Sequence, residues 1–366
     1  MIYRTEHPKP QFQRETWKNL NGPWQFEMDF SCSGKERNLF EADKEFTQTI
    51  NVPFCVESDL SGVGYKDFIN SVWYRREIEI TEQQKNGRVF LHFGAVDYQA
   101  DVYVNGTLAG THKGGYVSFK FEITDLVSTG KNVITVNATD DTRSRLIPTG
   151  KQSGKHASYG CYYTRTTGIW QTVWLEFTPK AYIESVKYVT DVDNATLNIA
   201  ADLRGAGTFT AEAFYEGKSV GRASVTTNGG MANVTVALSE KHIWEVGCGR
   251  LYDLKLTYGE DTVKSYFGLR SVRLDGYKFL INEKPVFQRL VLDQGFYPDG
   301  IYTAPSDEAL QKDNIFHQRI LPHICREEKT SAAQTEPCLM FTVMDVESFL
   351  WKSLGLWWYL SPVLIL

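Results

Sequence analysis

The sequence predicts a mainly β chain: a large jelly-roll-like β-sandwich, a smaller immunoglobulin-like sandwich, and then one strand–loop–helix unit of a parallel α/β fold. Period-two alternation of apolar and polar residues runs through most of the first 270 residues. Gly, Asn and Asp turns interrupt it at the roughly 8–12 residue spacing of sandwich strands. From Phe279 the pattern changes to a hairpin, a continuous apolar run and a capped helix. A chain of 366 residues should hold two or three domains, since single cores stop growing near roughly 250–300 residues.

The first sandwich opens with the turn and strand Leu20-Asn21-Gly22-Pro23-Trp24-Gln25-Phe26. A polar excursion through Lys44 and a loop over 51–64 lead to residues 71–80, whose alternation marks a half-buried strand. Residues 88–93 make another. The clearest hairpin signal is 100–109, because Asn105-Gly106 supplies the positive φ of a type I′ turn. Residues 114–123 and 131–136 continue the meander, and 168–177 closes it. Thr178-Pro179 marks a boundary. Strand-like runs at 181–189, 195–203, 208–215, 232–238 and 251–258 then form the second sandwich, ending near Leu269. The expected domains are therefore 1–178, 179–269 and 270–313, with 314–366 as an unmatched tail.

Phe279-Leu280-Ile281, the turn Asn282-Glu283-Lys284-Pro285 and the apolar run 286–292 read as a hairpin delivering a buried strand. Ser306 is the expected N-cap of the following helix. Asp307 and Glu308 set negative charge in its first turn, and Ala309-Leu310 begin an apolar face. The connecting loop, 293–305, leaves the carboxyl end of the strand, where α/β folds keep their chemistry.

A net charge of −5 without basic clusters argues against a nucleic-acid groove or a polybasic membrane patch. The six cysteines form no C-x-x-C pair, so neither a zinc cage nor a disulfide framework is expected, and reduced thiols in a cytoplasm are the plain reading. The N-terminus lacks an apolar secretory core. The uncharged stretch 353–366 contains Pro362 and is shorter than the about 20 residues a spanning helix needs. His92, His112 and His156 lack ligand spacing, and nothing calls for a metal or other cofactor. Assembly as a homo-oligomer is left open.

The order of several short motifs resembles family-2 glycoside hydrolases, the β-galactosidase and β-glucuronidase group. They are Leu20-Asn21-Gly22-Pro23-Trp24, Val52-Pro53-Phe54, Val72-Trp73-Tyr74-Arg75, Val102-Tyr103-Val104-Asn105-Gly106, Gly114-Gly115-Tyr116, residues 167–175 and Phe267-Gly268-Leu269-Arg270. The resemblance covers residues 1 to about 313, roughly the first half of such an enzyme. It implies that the strand–loop–helix unit is the first βα step of an incomplete TIM barrel. It also implies carbohydrate as partner and a retaining mechanism, in which one carboxyl protonates the leaving oxygen and another about 5 Å away attacks the sugar. In the family both are glutamates on later barrel strands, the acid within an Asn-Glu pair. Here the Asn-Glu dipeptide, Asn282-Glu283, lies in the hairpin turn, so no catalytic residue is assigned and the chain is expected to be inactive by itself. Alternative readings are a non-catalytic carbohydrate-binding protein and a non-functional gene fragment, the tail being explained by a shifted reading frame.

The resemblance also marks candidate sugar contacts. Asp293 and Gln294 sit at the expected end of the first barrel strand, which lines the sugar pocket in relatives. Tyr297 can stack on a sugar ring or pack its own loop. Lys151 and Gln152 belong to a loop that approaches the active site in related enzymes; an exposed Lys-Gln pair can bond sugar hydroxyls, or simply be solvated. Relatives can also place a carboxylate just before Thr167. Here Tyr159, Cys161, Tyr162, Tyr163 and Arg165 occupy that approach.

Overall fold

The computed structural model describes residues 2–293, 295–310, 312 and 339–344. The first sandwich is built from β1 (Trp17–Asn19), β2 (Gly22–Met28), β3 (Gln48–Val52), β4 (Ser71–Ile80), β5 (Arg88–Phe93), β6 (Val96–Asp97), β7 (Gln99–Val104), β8 (Thr107–Lys113), β9 (Phe119–Glu122), β10 (Gly130–Thr139), β11 (Gly168–Ile169) and β12 (Val173–Thr178). A four-stranded sheet, β1-β12-β5-β9, faces a six-stranded sheet, β3-β2-β4-β10-β7-β8, and β11 pairs with β6. All pairings are antiparallel. Between the sheets lie Trp24, Phe26, Tyr74, Leu91, Phe93 and Leu175. Asn105 and Gly106 take φ of 51° and 81°, as the hairpin between β7 and β8 requires.

Elements of the first sandwich differ in places from the sequence expectation. The first half of β4 is buried on both faces, because Leu39, Phe40 and Phe46 of the preceding excursion cover Trp73 and Tyr103 on the outer side. Asp29 pins that cover: its carboxylate accepts hydrogen bonds from Gly34 N at 2.7 Å and Trp73 Nε1 at 3.2 Å. The closing strand is broken into β11 and β12, with Trp170 turned inward between them and its Nε1 donating to Gly115 O at 2.7 Å.

The second sandwich comprises β13 (Tyr182–Asp191), β14 (Thr196–Arg204), β15 (Gly207–Tyr215), β16 (Lys218–Thr227), β17 (Gly230–Ala237), β18 (Tyr252–Tyr258) and β19 (Asp261–Phe267). They form sheets β13-β14-β17 and β16-β15-β18-β19 around Ile199, Phe209, Leu256 and Tyr258. Strand β16 was not expected. Its apolar content is low, but alternate residues from Ala223 to Thr227 are less exposed than their neighbours, and a bulge between Ala213 and Phe214 shifts its register with β15.

A three-stranded sheet follows, β20 (Val272–Asp275), β21 (Lys278–Ile281) and β22 (Lys284–Pro285). The expected hairpin at Asn282-Glu283 is present, and both residues have positive φ. The strand after this hairpin starts later than the apolar run suggests, as β23 (Gln288–Asp293). Ser306 caps the helical residues 307–310, its Oγ accepting from Ala309 N at 3.2 Å. No barrel element was expected beyond 313, yet β24 (Leu339–Met344) pairs in parallel with β23. Leu-Met-Phe-Thr-Val-Met is an apolar six-residue run suited to a buried parallel strand. The rest of the tail lies outside the described residues. Among those described there is no closed barrel.

Candidate functional site

The loop after β23 folds back onto the first sandwich. Tyr297 N donates to Ile301 O at 2.7 Å and Ile301 N to Tyr297 O at 3.0 Å, which closes the loop on itself. Gly300 sits where a Cβ would lie 2.0 Å from Thr303 O. The turn is then anchored across the chain. Ser58 Oγ and Leu60 N both donate to Asp299 O, at 2.6 and 3.1 Å, and Thr303 Oγ1 lies 2.5 Å from Trp170 O and 3.1 Å from Pro53 O. Ile301 and Tyr302 bury themselves against Cys55, Ala95 and Trp170. Phe296 packs against Tyr163 with ring centroids 5.0 Å apart and planes tilted by 31°, so the loop after β23 and the 150–163 loop of the first sandwich meet in one aromatic seam.

Beneath the seam is a buried polar network. Gln152 Nε2 donates to Asp97 Oδ2 at 2.6 Å and to Tyr116 Oη at 3.1 Å, while its Oε1 accepts from Thr166 N at 2.8 Å. Glu57 Oε2 accepts from Thr167 N at 3.0 Å. Arg165 is sealed among the loops and donates to the carbonyls of Ser153, Lys155 and Lys66. Burial pushes the Glu57 carboxyl up to about 7, against the pull of its bond to Thr167. Burial, with the Asp97 carboxylate nearby, pushes Asp140 well above the usual range. Among the described residues Glu57 Oε1 and Asp140 Oδ2 have no hydrogen-bond partner. Glu57 has no exposed surface, so it can hold these loops but cannot touch a ligand.

The sequence-derived candidates fare differently. Asp293 is the last residue of β23, opposite Met344 of β24. Gln294 lies outside the described residues. Tyr297 is buried against Ala304 and Leu310, which is loop packing. Lys151 is half-buried, and its carbonyl accepts from Tyr163 N at 2.8 Å. The expectation of an exposed Lys-Gln pair is corrected at Gln152: its side chain is buried because both amide donors and the carbonyl are spent on protein partners. Sequence reasoning missed Glu57, Asp97 and Asp140. The available signal was a single acid within an apolar stretch, as in Cys55-Val56-Glu57. Among the described residues no three metal-binding side chains gather, and no helix is long and apolar enough to cross a membrane.

Comparison with known proteins agrees with this architecture. The family described as glycosyl hydrolases family 2, sugar binding domain, matches residues 17–179. The chain is 28% identical to the β-glucuronidase of Sus scrofa over 319 residues, covering 77% of this chain and 48% of that one. The Homo sapiens β-glucuronidase is likewise 28% identical, over 326 residues, with 78% and 49% covered. Among solved structures, a β-glucuronidase from an uncultured Clostridium sp. superposes with a TM-score of 0.63 at 26% identity, over 82% of this chain and 52% of that one. The Ruminococcus gnavus β-glucuronidase in complex with D-glucuronic acid gives 0.66 at 19% identity, over 83% and 54%, a likeness of fold. The chain thus spans about half the length of these two curated relatives.

Proposed function

From a chain that carries the N-terminal, sugar-binding region of the family-2 glycoside hydrolases, we propose that it binds carbohydrate where the loop after β23 meets the first sandwich, without cleaving glycosidic bonds by itself. The observation that carries this is the docking of 296–303 onto Pro53, Ser58 and Trp170, which sets the end of β23 beside the sandwich loops. A retaining reaction needs two carboxyls about 5 Å apart. Among the described residues Asp293 ends β23, and Glu57 is sealed from solvent. In this reading Asp293, Gln294 and Lys151 contact the sugar, while Gln152 and Tyr297 hold the loops that carry them. A complete relative would act on β-glucuronides or β-galactosides. A cytoplasmic setting suits Cys32, Cys55, Cys161 and Cys248, which are unpaired.

Calorimetry with phenyl β-glucuronide and phenyl β-galactoside, beside a turnover assay on the full chain and on Asp293→Asn, tests the proposal. We expect binding to at least one glycoside and no turnover above buffer. Turnover that disappears in Asp293→Asn would overturn the non-catalytic reading. Absence of binding to both would overturn the sugar site.

A further inference from the structure

The overall charge of −5 hides a local excess of the opposite sign. Residues 143–165 contain Arg143, Arg145, Lys151, Lys155 and Arg165, and no Asp or Glu. Arg165 is spent inside, tying the foot of the loop through the carbonyls of Ser153 and Lys155. From that foot a short finger projects. Tyr159 and Tyr162 are joined by reciprocal backbone hydrogen bonds of 3.0 and 2.9 Å. Their rings stack at 5.1 Å with 26° between planes, yet remain 39% and 40% exposed. Lys155 Nζ lies 4.1 Å from the Tyr159 ring centroid. The neighbouring Tyr163 is the residue that packs against Phe296, so this platform continues the aromatic seam of the candidate site.

Acids do face the region. Asp67 lies 3.2 Å from His156, Asp59 pairs with Lys66 at 3.1 Å, and Asp141 is 4.0 Å from Arg143. Among the described residues none pairs with Arg145 or Lys155, and both are exposed. Stacked aromatic faces accept the C–H faces of sugar rings, and adjacent cations favour a ligand that carries negative charge. We propose that residues 143–162 form a second binding surface, for the acidic part of a carbohydrate chain bearing carboxylate or sulfate groups, beside the junction site. This rests on the sugar-binding reading above. That the surface adjoins a sugar-binding sandwich favours an acidic saccharide over a nucleic acid.

The test is affinity electrophoresis of the full chain through gels containing oligogalacturonate, dextran sulfate or neutral dextran, with a poly-uridine oligonucleotide as competitor. Retardation by at least one acidic saccharide and not by neutral dextran is expected, and the effective one identifies the anion. Tyr159→Ala and Tyr162→Ala should each weaken that binding by about tenfold, and Lys155→Gln by about threefold, with unchanged melting temperature. Equal retardation by neutral dextran, acidic binding indifferent to the tyrosine variants, or tighter binding of the oligonucleotide would each overturn the proposal. Phenyl glycoside binding without any acidic binding would sink this surface alone. Loss of both would sink the junction site with it.

Discussion

Glu57 shows what one residue costs in order to hold a loop. Its carboxyl sits without solvent contact, one oxygen bonded to Thr167 N and the other without a hydrogen-bond partner among the described residues. Burial raises its pKa to about 7, so between the ordinary glutamate value and about 7 the folded chain binds a proton that the unfolded chain releases. Its contribution to stability is therefore complete below the unfolded pKa and is lost as pH rises through about 7. Glu57→Gln keeps an acceptor for Thr167 and removes the titration. It should raise stability at pH 8 by about 1–3 kcal/mol relative to pH 4, seen as a flatter dependence of melting temperature on pH. An unchanged pH slope would show that Glu57 titrates normally.

At the scale of the element, the loop after β23 is held by hydrogen bonds as well as by the apolar burial of Ile301 and Tyr302. Asp299 O collects two donors from the 58–60 turn, and Thr303 reaches two carbonyls of the first sandwich. Gly300 has no space for a side chain, since a Cβ would sit 2.0 Å from a backbone oxygen. Gly300→Ala must displace this turn. Hydrogen exchange should then accelerate over 296–303 and at Trp170, while β13–β19 keep their protection. Unchanged exchange in the loop would mean that the turn is not tied down as described. Only part of this element was legible beforehand. The Ser306 cap and the Asn282 turn are local chemistry and appear in the sequence, whereas the start of β23 depends on which residues find partners.

For the whole molecule, Arg14 is one of the residues that join the two sandwiches, beside the Lys120–Glu184 ion pair and the Phe90–Tyr182 ring contact. It is 3% exposed, its Nε and Nη2 each lie 2.8 Å from the Asp261 carboxylate, and Nη1 lies 3.0 Å from Glu176. Nη2 also donates to Ile183 O at 2.5 Å. Glu176 belongs to β12 and Asp261 to β19, so one guanidinium spans both bodies. Burial alone would raise the Glu176 carboxyl, but the neighbouring His92 and Arg14 outweigh it and hold it well below the usual carboxylate range. His92, stacked on Trp174, is pushed down to about 4 by burial. Arg14→Met leaves two buried acids without their cation and should cost about 3–5 kcal/mol. Calorimetry should show the sandwiches melting as separate transitions. A single unshifted transition would show that the junction is held elsewhere.

The sequence by itself determined the β character of the chain, the tandem sandwiches and the turn at Asn105-Gly106, because alternation and turn chemistry are local and survive without partners. It also carried the order of motifs that resembles family-2 glycoside hydrolases, whose sugar binding domain matches residues 17–179. Only the tertiary structure decided that Gln152 is a buried strut, that Tyr297 packs its own loop, and that Arg14 bridges residues about 160 and 250 positions away. The acids Glu57, Asp97 and Asp140 likewise come from separate strands and loops, and their shared burial exists only after the sheets close. Burial and charge pairing depend on residues distant in sequence, and periodicity within one segment holds no record of them.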